Sequence, residues 1–211
     1  MSTIINPLTR EKTMDTAIDP ATDTRNVADE FKGMTVDAIR LEMQKRRTPL
    51  VNIAMNLTSD FNKSSVLRAA NSFAAREFIL VNRVNDQNPT SIQGIKKFDK
   101  RGAVGMTHYE TVRHTTDWKA LFVEFREQGY TIFAVDNNID FAEPQAIYNT
   151  TFPEKTVFVY GEEGLGLSEE MLRASDAMVY IPQFGVVRSL NISQAAAVCM
   201  YEYSRQHQHI L

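Results

Sequence analysis

Hydrophobic positions along this chain follow two different spacings. Short continuous apolar runs, such as residues 49–56 (PLVNIAMN) and 156–160 (TVFVY), are typical of strands buried on both faces of a sheet. Between such runs, apolar residues recur at helical spacing, as at Val36, Ile39 and Met43. The regular alternation predicts an α/β fold whose mostly parallel sheet carries helices on both faces.

Turn and capping residues divide this pattern into elements. We predict strands over residues 49–56, 77–82, 130–135, 156–160 and 177–182. Helices are predicted to begin near residues 36, 62, 116, 168 and 191, with Thr116 and Ser168 as caps and Gly129 and Pro49 as stops. A polar loop is expected over residues 85–91, followed by a short basic helix near residues 92–101.

Residues 1–31 differ from the rest, because they are rich in Thr, Asp and Asn and lack apolar periodicity. We therefore expect a flexible N-terminal arm over residues 1–31 and one domain over residues 32–211.

Composition excludes several classes of protein. Of the 211 residues, 43% are hydrophobic and 23% are charged, which is ordinary globular usage. The longest apolar run, residues 195–201, has seven residues, whereas a membrane span needs about 20. We expect no secretory leader and no metal site, and the single Cys199 excludes an internal disulfide. A reducing, cytoplasmic compartment follows from that cysteine usage.

Charge is unevenly distributed although the net charge is only −3. Residues 63–101 hold eight bases and three acids, whereas residues 117–176 hold four bases and twelve acids. The basic part could bind a polyanion, or these charges could simply solvate helix faces. Charge alone favours the second explanation.

Three segments at strand or helix ends could carry chemistry. The first, residues 62–68 (NKSSVLR), opens a helix whose N-terminus suits a phosphate, although Asn62 could be only a cap and Arg68 only a surface residue. The second, residues 161–167 (GEEGLGL), has glycines that permit close ligand approach. It matches neither the dinucleotide fingerprint nor a P-loop, and its acids favour a cationic or neutral ligand. An ordinary strand-to-helix turn remains the alternative.

The third segment is residues 181–193 (IPQFGVVRSLNIS). Ser189, Asn191 and Ser193 open the last helix, and three small hydrogen-bonding side chains exceed what one N-cap needs. A generously capped helix is the alternative explanation.

Together, the three segments resemble the motifs of the SpoU/TrmH family, the knotted RNA ribose 2′-O-methyltransferases of the SPOUT class. Asn62 and Arg68 match its first motif, Gly161, Glu163 and Gly164 lie in the segment that matches its second, G-x-E-x-x-G, and Ser189-Leu190-Asn191 matches its third. Lys63-Ser64-Ser65 departs from the small apolar residues with a glycine that the family usually has there. The resemblance covers about residues 48–206 and is greatest to the branch that modifies a D-loop guanosine of tRNA.

This resemblance implies a C-terminal trefoil knot that binds S-adenosylmethionine without a metal. The implied cofactor-binding residues are Tyr160, Gly161, Gly164, Ile181, Pro182, Ser189 and Leu190. The implied catalytic residues are Arg68, Asn62, Glu163, Ser189 and Asn191. Because arginine stays protonated, our hypothesis is that Arg68 binds the phosphate beside the ribose and stabilises the developing alkoxide.

The resemblance further implies a homodimer that acts on RNA, with tRNA preferred. Two alternatives stay open: an rRNA 2′-O-methyltransferase, and a non-catalytic RNA-binding protein that kept the fold. Cofactor affinity would separate the second from an enzyme. A nucleotide-dependent oxidoreductase is disfavoured because the dinucleotide fingerprint is missing.

Overall fold

A computed structural model describes residues 3–4, 16–82, 84–85, 88–92, 98–110, 112–137 and 143–208. Its strands are β1 (Thr3–Ile4), β2 (Thr48–Met55), β3 (Ala75–Val81), β4 (Val84–Asn85), β5 (Asn88–Ile92), β6 (Val112–Thr115), β7 (Thr131–Val135), β8 (Gln145–Ala146), β9 (Thr156–Tyr160) and β10 (Ala177–Tyr180). Its α-helices are α1 (Val36–Arg46), α2 (Asp60–Ser72), α3 (Lys100–Ala103), α4 (Trp118–Glu127), α5 (Glu169–Ala174) and α6 (Ile192–His207). Short 3-10 helices cover Pro20–Thr22, Asp29–Phe31, Met106–His108 and Ile147–Asn149.

Eight strands form one sheet in the order β1-β6-β3-β2-β9-β7-β10-β8. All neighbours from β6 to β8 are parallel, and only β1 pairs antiparallel to its neighbour. The mostly parallel sheet predicted from the sequence is therefore confirmed. The chain order reverses between β2 and β9, and open α/β sheets bind ligands beyond the carboxyl ends of strands at such a switch point.

Helices cover both faces of this sheet, as predicted. On one face α2 and α6 contribute Leu67 and Tyr203 to a core that includes Phe158 of β9. On the other face α4 and α5 contribute Phe125 and Leu172. The central strands are buried from both sides, because the exposed fraction of every residue from Val157 to Tyr160 is 2% or less. Among the described residues, we find no helix with the length and apolarity that a membrane crossing requires.

Several sequence predictions need correction. The basic helix expected near residues 92–101 is wrong in its first part, because Ile92 ends β5 and α3 begins only at Lys100, capped by Asp99. Residues 93–97 lie outside the described part of the chain. The polar loop expected over residues 85–91 instead contributes to the antiparallel pair β4–β5. The short strands β6 and β8 were missed, since four and two residues give too little periodicity to detect.

Two predicted caps also differ from the structure. Asp117 rather than Thr116 caps α4, because its carboxylate accepts a hydrogen bond from the Ala120 N–H at 3.0 Å. The helix that carries the first motif is capped by Ser59, not by Asn62. The side chain of Asn62 is therefore available for a different role.

The segment before α1 makes specific contacts where the structure describes it. The Asp23 carboxylate pairs with the Arg25 guanidinium at 2.6 Å and accepts a hydrogen bond from the Gly33 N–H at 3.0 Å. Phe31 is buried with Ile39 and Met43 of α1. A separate arm over residues 1–31 stays a prediction, and residues 5–15 lie outside the described residues.

Candidate active site

Three loops meet at the carboxyl edge of the sheet, where β2 and β9 lie side by side. They follow β2, β9 and β10, and the three motifs identified in the sequence lie in these loops or in the helices α2 and α6 that continue from them. Because parallel strands place their carboxyl ends at one edge, segments more than a hundred residues apart in the chain come into contact there. This edge is the candidate site.

A chain of side-chain hydrogen bonds joins the three motifs. The amide nitrogen of Asn62 donates to Oε1 of Glu163 at 3.0 Å. The amide nitrogen of Asn191 donates to Oδ1 of Asn62, also at 3.0 Å. Asn62 is buried and both its amide atoms are used, whereas Glu163 and Asn191 are exposed. We call these three residues the Asn62–Glu163–Asn191 network.

The backbone beside α2 holds the Glu163 carboxylate. The N–H of Ser59 donates to Oε1 at 3.2 Å, and the N–H of Thr58 donates to Oε2 at 3.4 Å. Partial burial raises the pKa of Glu163, but these N–H groups and the Asn62 amide together outweigh that effect and lower the pKa below its usual value. Glu163 therefore carries a negative charge at neutral pH.

Asn191 is held by its position as the N-cap of α6. Its Oδ1 accepts hydrogen bonds from the backbone N–H of Ser193 at 2.9 Å and from the Ser193 hydroxyl at 2.7 Å. Of the three small polar side chains that open the last helix, those of Asn191 and Ser193 therefore take part in capping it. Ser189 is exposed and makes no side-chain hydrogen bond within the described residues, so the structure does not join it to the network.

Arg68 lies apart from the network. It is six residues beyond Asn62 on α2, which is about 9 Å along the helix and on a different side of it. Its side chain is exposed, and it has no ion pair within the part of the chain that the structure describes. It lines a separate cavity of about 440 Å³ together with Phe31, Arg46 and Tyr109. A single chain thus does not bring Arg68 into contact with Glu163 or Asn191.

The loop after β9 can take its shape only with glycine at position 161. A Cβ atom there would lie 2.2 Å from the carbonyl carbon of Gly166, far closer than two such atoms can approach. The backbones of Glu162 and Gly166 pair with each other through hydrogen bonds of 3.2 and 3.1 Å. By contrast, a Cβ atom at Gly164 would meet nothing within 4 Å, so that face of the loop is open.

The other residues that the sequence suggested for a cofactor differ in exposure. Tyr160 is fully buried and donates to Oδ1 of Asn52 at 2.9 Å, so only its backbone can face a ligand. Ile181 and Pro182 are half-buried, and Ile181 packs against the core. Ser189 and Leu190 are exposed on the loop after β10.

Sequence reasoning missed one carboxylate at this edge. Asp136 directly follows β7, and its Oδ2 accepts a hydrogen bond from the Leu167 N–H at 3.4 Å. Its neighbour Asn137 donates to the carbonyl of Arg188 at 3.4 Å, which joins the loops after β7 and β10. An acidic residue at the end of a buried strand is the signal that could have identified Asp136.

The edge can therefore hold a cationic ligand. Asp136, Glu162 and Glu163 place carboxylates on the loops around Gly161, and opposite charges attract strongly where water is partly excluded. Within the described residues, no group of three or more His, Cys, Asp or Glu side chains is arranged to hold a metal ion.

Comparisons with known proteins identify the family of this chain. The model of the SpoU rRNA methylase family matches residues 49–201. A tRNA (guanosine(18)-2′-O)-methyltransferase of Thermus thermophilus is 30% identical over 169 residues, which cover 78% of this chain and 79% of the relative.

Solved structures share the fold. The TrmH/SpoU tRNA modifying enzyme of Aquifex aeolicus superposes with a TM-score of 0.68 at 21% identity, covering 82% of each chain. The methyltransferase AviRb of Streptomyces viridochromogenes, solved in complex with the cofactor AdoMet, gives a TM-score of 0.59 at 22% identity, covering 79% of this chain and 61% of AviRb.

Proposed function

This chain belongs to the SpoU rRNA methylase family, and from that premise we propose that its carboxyl-edge site methylates the ribose 2′-hydroxyl of a tRNA guanosine. The observation that carries the proposal is the Asn62–Glu163–Asn191 network, in which Asn62 of the first motif is hydrogen-bonded both to Glu163 of the second and to Asn191 of the third. The methyl donor is S-adenosylmethionine, the cofactor of the family.

The donor fits the residues at this edge. When bound, S-adenosylmethionine supplies a methyl group on a positively charged sulfonium. The negative carboxylates of Asp136, Glu162 and Glu163 attract that positive sulfonium. We propose that backbone groups of Tyr160, Gly161, Gly164, Ile181 and Pro182 and the exposed Ser189 and Leu190 hold its adenine and methionine parts.

The network has a positioning role in this proposal. Methyl transfer needs the ribose oxygen in line with the methyl group, and such alignment can account for a large part of a rate acceleration. Asn62, Asn191 and Ser189 offer donors and acceptors to the ribose hydroxyls, and Glu163 fixes the amide of Asn62. The rigid backbone contacts at Ser59 and Thr58 keep Glu163 in place.

Arg68 is the residue that we propose touches the RNA backbone. Its guanidinium remains charged at all ordinary pH values, so it suits binding a phosphate and stabilising the alkoxide better than accepting a proton. Its exposed position, without an ion pair among the described residues, leaves the guanidinium accessible to a ligand.

We also propose a homodimer. Exposed apolar side chains lie on α2, on α6 and on the loop before α6, and those of Phe61, Leu190, Val198 and Tyr201 are each at least 36% exposed. A second copy that covers these side chains would bring another molecule close to Arg68, which lies on the same helix as Phe61. Met200, by contrast, is fully buried and belongs to the core.

Three further features belong to this proposal. The C-terminal part of the chain would be threaded as the family's trefoil knot, residues 32–211 would form the methyltransferase domain, and the protein would act in the cytoplasm. The match of the family model to residues 49–201 supports the domain, and the single buried Cys199 is consistent with a reducing compartment.

The proposal is tested by incubating the protein with labelled S-adenosylmethionine and either total tRNA or ribosomal RNA, and mapping the modified ribose. We expect label on the 2′-oxygen of a tRNA guanosine. Label only on ribosomal RNA would favour the rRNA alternative. Cofactor binding without transfer to either RNA, or no cofactor binding at all, would contradict the assignment of an enzyme.

A further inference from the structure

The function proposed above uses Arg68 but not the cavity that this residue lines. The volume of the cavity is about 440 Å³, within the range of roughly 300–1,000 Å³ that small-molecule sites have. It lies between residues 26–31, α1, the second half of α2 and residues 104–109. We propose that it receives the base of the nucleotide on the 3′ side of the target, while Arg68 holds the phosphate that joins the two nucleotides. This inference rests on the proposed function.

The chemistry of the target decides which neighbouring nucleotide is meant. In RNA the 2′-hydroxyl lies on the ribose carbon next to the one that carries the 3′-phosphate, whereas the 5′-phosphate is attached further away. A guanidinium that binds a phosphate and also stabilises the 2′-alkoxide therefore binds the 3′-phosphate. The nucleotide beyond that phosphate is tethered beside the cavity that Arg68 lines. This holds whether the target ribose lies on the same copy of the chain or on a second copy.

The interior of the cavity suits a planar base. Phe31, Ile39 and Met43 form one apolar cluster with Met106 and Tyr109, and all five residues line the cavity. Each is at most 9% exposed, so together they form the floor of the cavity. Bases that leave a helical stack are commonly held against aromatic and apolar side chains, and such contacts tolerate all four bases. We therefore expect the cavity to bind the neighbouring base with little preference for its identity.

Arg68 is the cation that the cavity offers to a phosphate. Its side chain is exposed and has no ion pair within the described residues. Two other polar side chains of the lining are turned to partners in the protein. The amide nitrogen of Asn71 donates to Glu110 at 2.7 Å, and the Ser72 hydroxyl donates to the carbonyl of Arg68 at 3.0 Å. A nucleotide at this opening therefore meets a positive charge for its phosphate beside an apolar floor for its base.

Arg46, the second arginine of the lining, is occupied by contacts within the protein. Its guanidinium lies 4.8 Å from the centroid of the Phe31 ring and pairs with Glu30 at 2.8 Å and with Glu42 at 3.3 Å. These contacts join α1 to the segment that covers the cavity. The cavity is therefore formed before a ligand binds, which lowers the entropy cost of binding. The same pairing compensates the two acidic side chains nearest to the opening.

Two variants fill the cavity from different walls. Ala28 lines it from the segment before α1 and Ser72 lines it from the end of α2, and both residues are exposed. With Ala28→Trp or Ser72→Trp we expect kcat/KM for tRNA methylation and the affinity for tRNA, measured by filter binding, each to fall by about tenfold or more. The melting temperature and the affinity for S-adenosylmethionine should stay at the parental values. The matched control is Ala21→Trp, at an exposed position of the same segment outside the cavity.

A modified substrate tests which base enters the cavity. We would remove the base on the 3′ side of the mapped target guanosine, leaving an abasic nucleotide, and use removal of the 5′ base as the control. With the parent and with Ala21→Trp we expect kcat/KM to fall by about tenfold for the 3′ abasic RNA and much less for the 5′ abasic RNA. With Ala28→Trp and Ser72→Trp the 3′ abasic RNA should cause no further loss, because the base already has no cavity to enter. A change in the fold of the RNA would instead slow all of these proteins alike.

The outcomes separate this inference from the proposed function. Parental methylation and tRNA affinity in both filled variants, or an equal loss with the 3′ abasic RNA in filled and parental proteins, would overturn the cavity assignment and leave the proposed function standing. A greater loss with the 5′ than with the 3′ abasic RNA would also overturn it. Absence of methyl transfer to any RNA, together with weaker tRNA binding in the two filled variants alone, would overturn the proposed function and leave the cavity supported as an RNA site.

Discussion

The amide nitrogen of Asn62 donates a 3.0 Å hydrogen bond to the carboxylate of Glu163, across 101 positions of sequence. Asn62 lies in the first turn of α2, and Glu163 lies on the loop after β9. The contact exists because β2 and β9 are direct neighbours in the sheet, so that the segments that follow them meet. It turns two separate motifs into one site, and the predictions below depend on it.

Replacing Asn62 with alanine should slow methylation far more than it affects folding. The substitution removes the donor to Glu163 and the acceptor for Asn191, so the ribose is held less precisely, and we expect kcat to fall by about 10–100-fold. Steady-state kinetics on tRNA measure this, with cofactor affinity followed by calorimetry. The matched control is Asn71→Ala on the same helix, where the amide donates to Glu110 at 2.7 Å away from the site. Equal losses of kcat in both variants would contradict a specific role for Asn62.

Arg68 should be essential for transfer and unimportant for stability. Its side chain is exposed and has no ion pair among the described residues, so Arg68→Ala and Arg68→Lys should change the free energy of unfolding by less than about 0.5 kcal/mol. Lysine keeps the charge but loses the planar fork that binds a phosphate through two parallel hydrogen bonds. We therefore expect both variants to lose most of their methylation rate while S-adenosylmethionine still binds. Arg101→Lys, at another exposed arginine, serves as the control, and parental rates in both Arg68 variants would refute the proposed role.

Two glycine substitutions in the loop after β9 should have different effects, because a Cβ atom fits at position 164 but not at position 161. Gly161→Ala places a Cβ atom 2.2 Å from the carbonyl carbon of Gly166, so the loop must move. We expect the melting temperature to drop by several degrees and the affinity for S-adenosylmethionine to fall by about tenfold or more. Gly164→Ala meets nothing within 4 Å and should melt at the parental temperature. Thermal unfolding and calorimetry on the two proteins give the answer, and a Gly161→Ala protein with unchanged melting and binding would show that the loop is not rigid.

Glu163 should contribute stability that depends on pH. Its pKa in the folded protein lies below the ordinary value of 4.5, because hydrogen bonds from Asn62 and backbone N–H groups outweigh the opposing effect of burial. Below pH 4.5 the unfolded chain therefore binds more protons at this residue than the folded protein does, and stability falls as the medium becomes more acidic. This contribution to the free energy of unfolding is fully present above the pKa that Glu163 has in the unfolded chain. It is lost as pH falls through the lower pKa that Glu163 has in the folded protein.

Urea unfolding of the parent and of Glu163→Gln across that range checks this expectation. The difference in stability between the two proteins should shrink as pH falls below 4.5. In an Asn62→Ala background the same comparison should give a smaller change, because one of the hydrogen bonds that lower the pKa is gone. A difference that stays constant with pH would mean that the carboxylate is not held as the structure indicates.

Local sequence determined the elements and the chemistry of the motifs. Continuous apolar runs located β2, β7 and β9 to within one or two residues, because strands buried on both faces need apolar side chains at every position. Capping chemistry located α5 at Ser168 and α6 at Asn191. The order of the three motifs was sufficient to indicate the family, which the family model over residues 49–201 then confirmed.

Only the tertiary structure decided which of these residues act together. The sheet order places β9 beside β2, and no periodicity in either segment encodes that pairing. It brings Asn62 into contact with Glu163 and Asn191 and leaves Arg68 on a different surface. The physical reason is the sequence separation over which each effect acts. Capping preferences and apolar spacing depend on residues a few positions apart, whereas this site forms where strands that are distant in sequence end side by side.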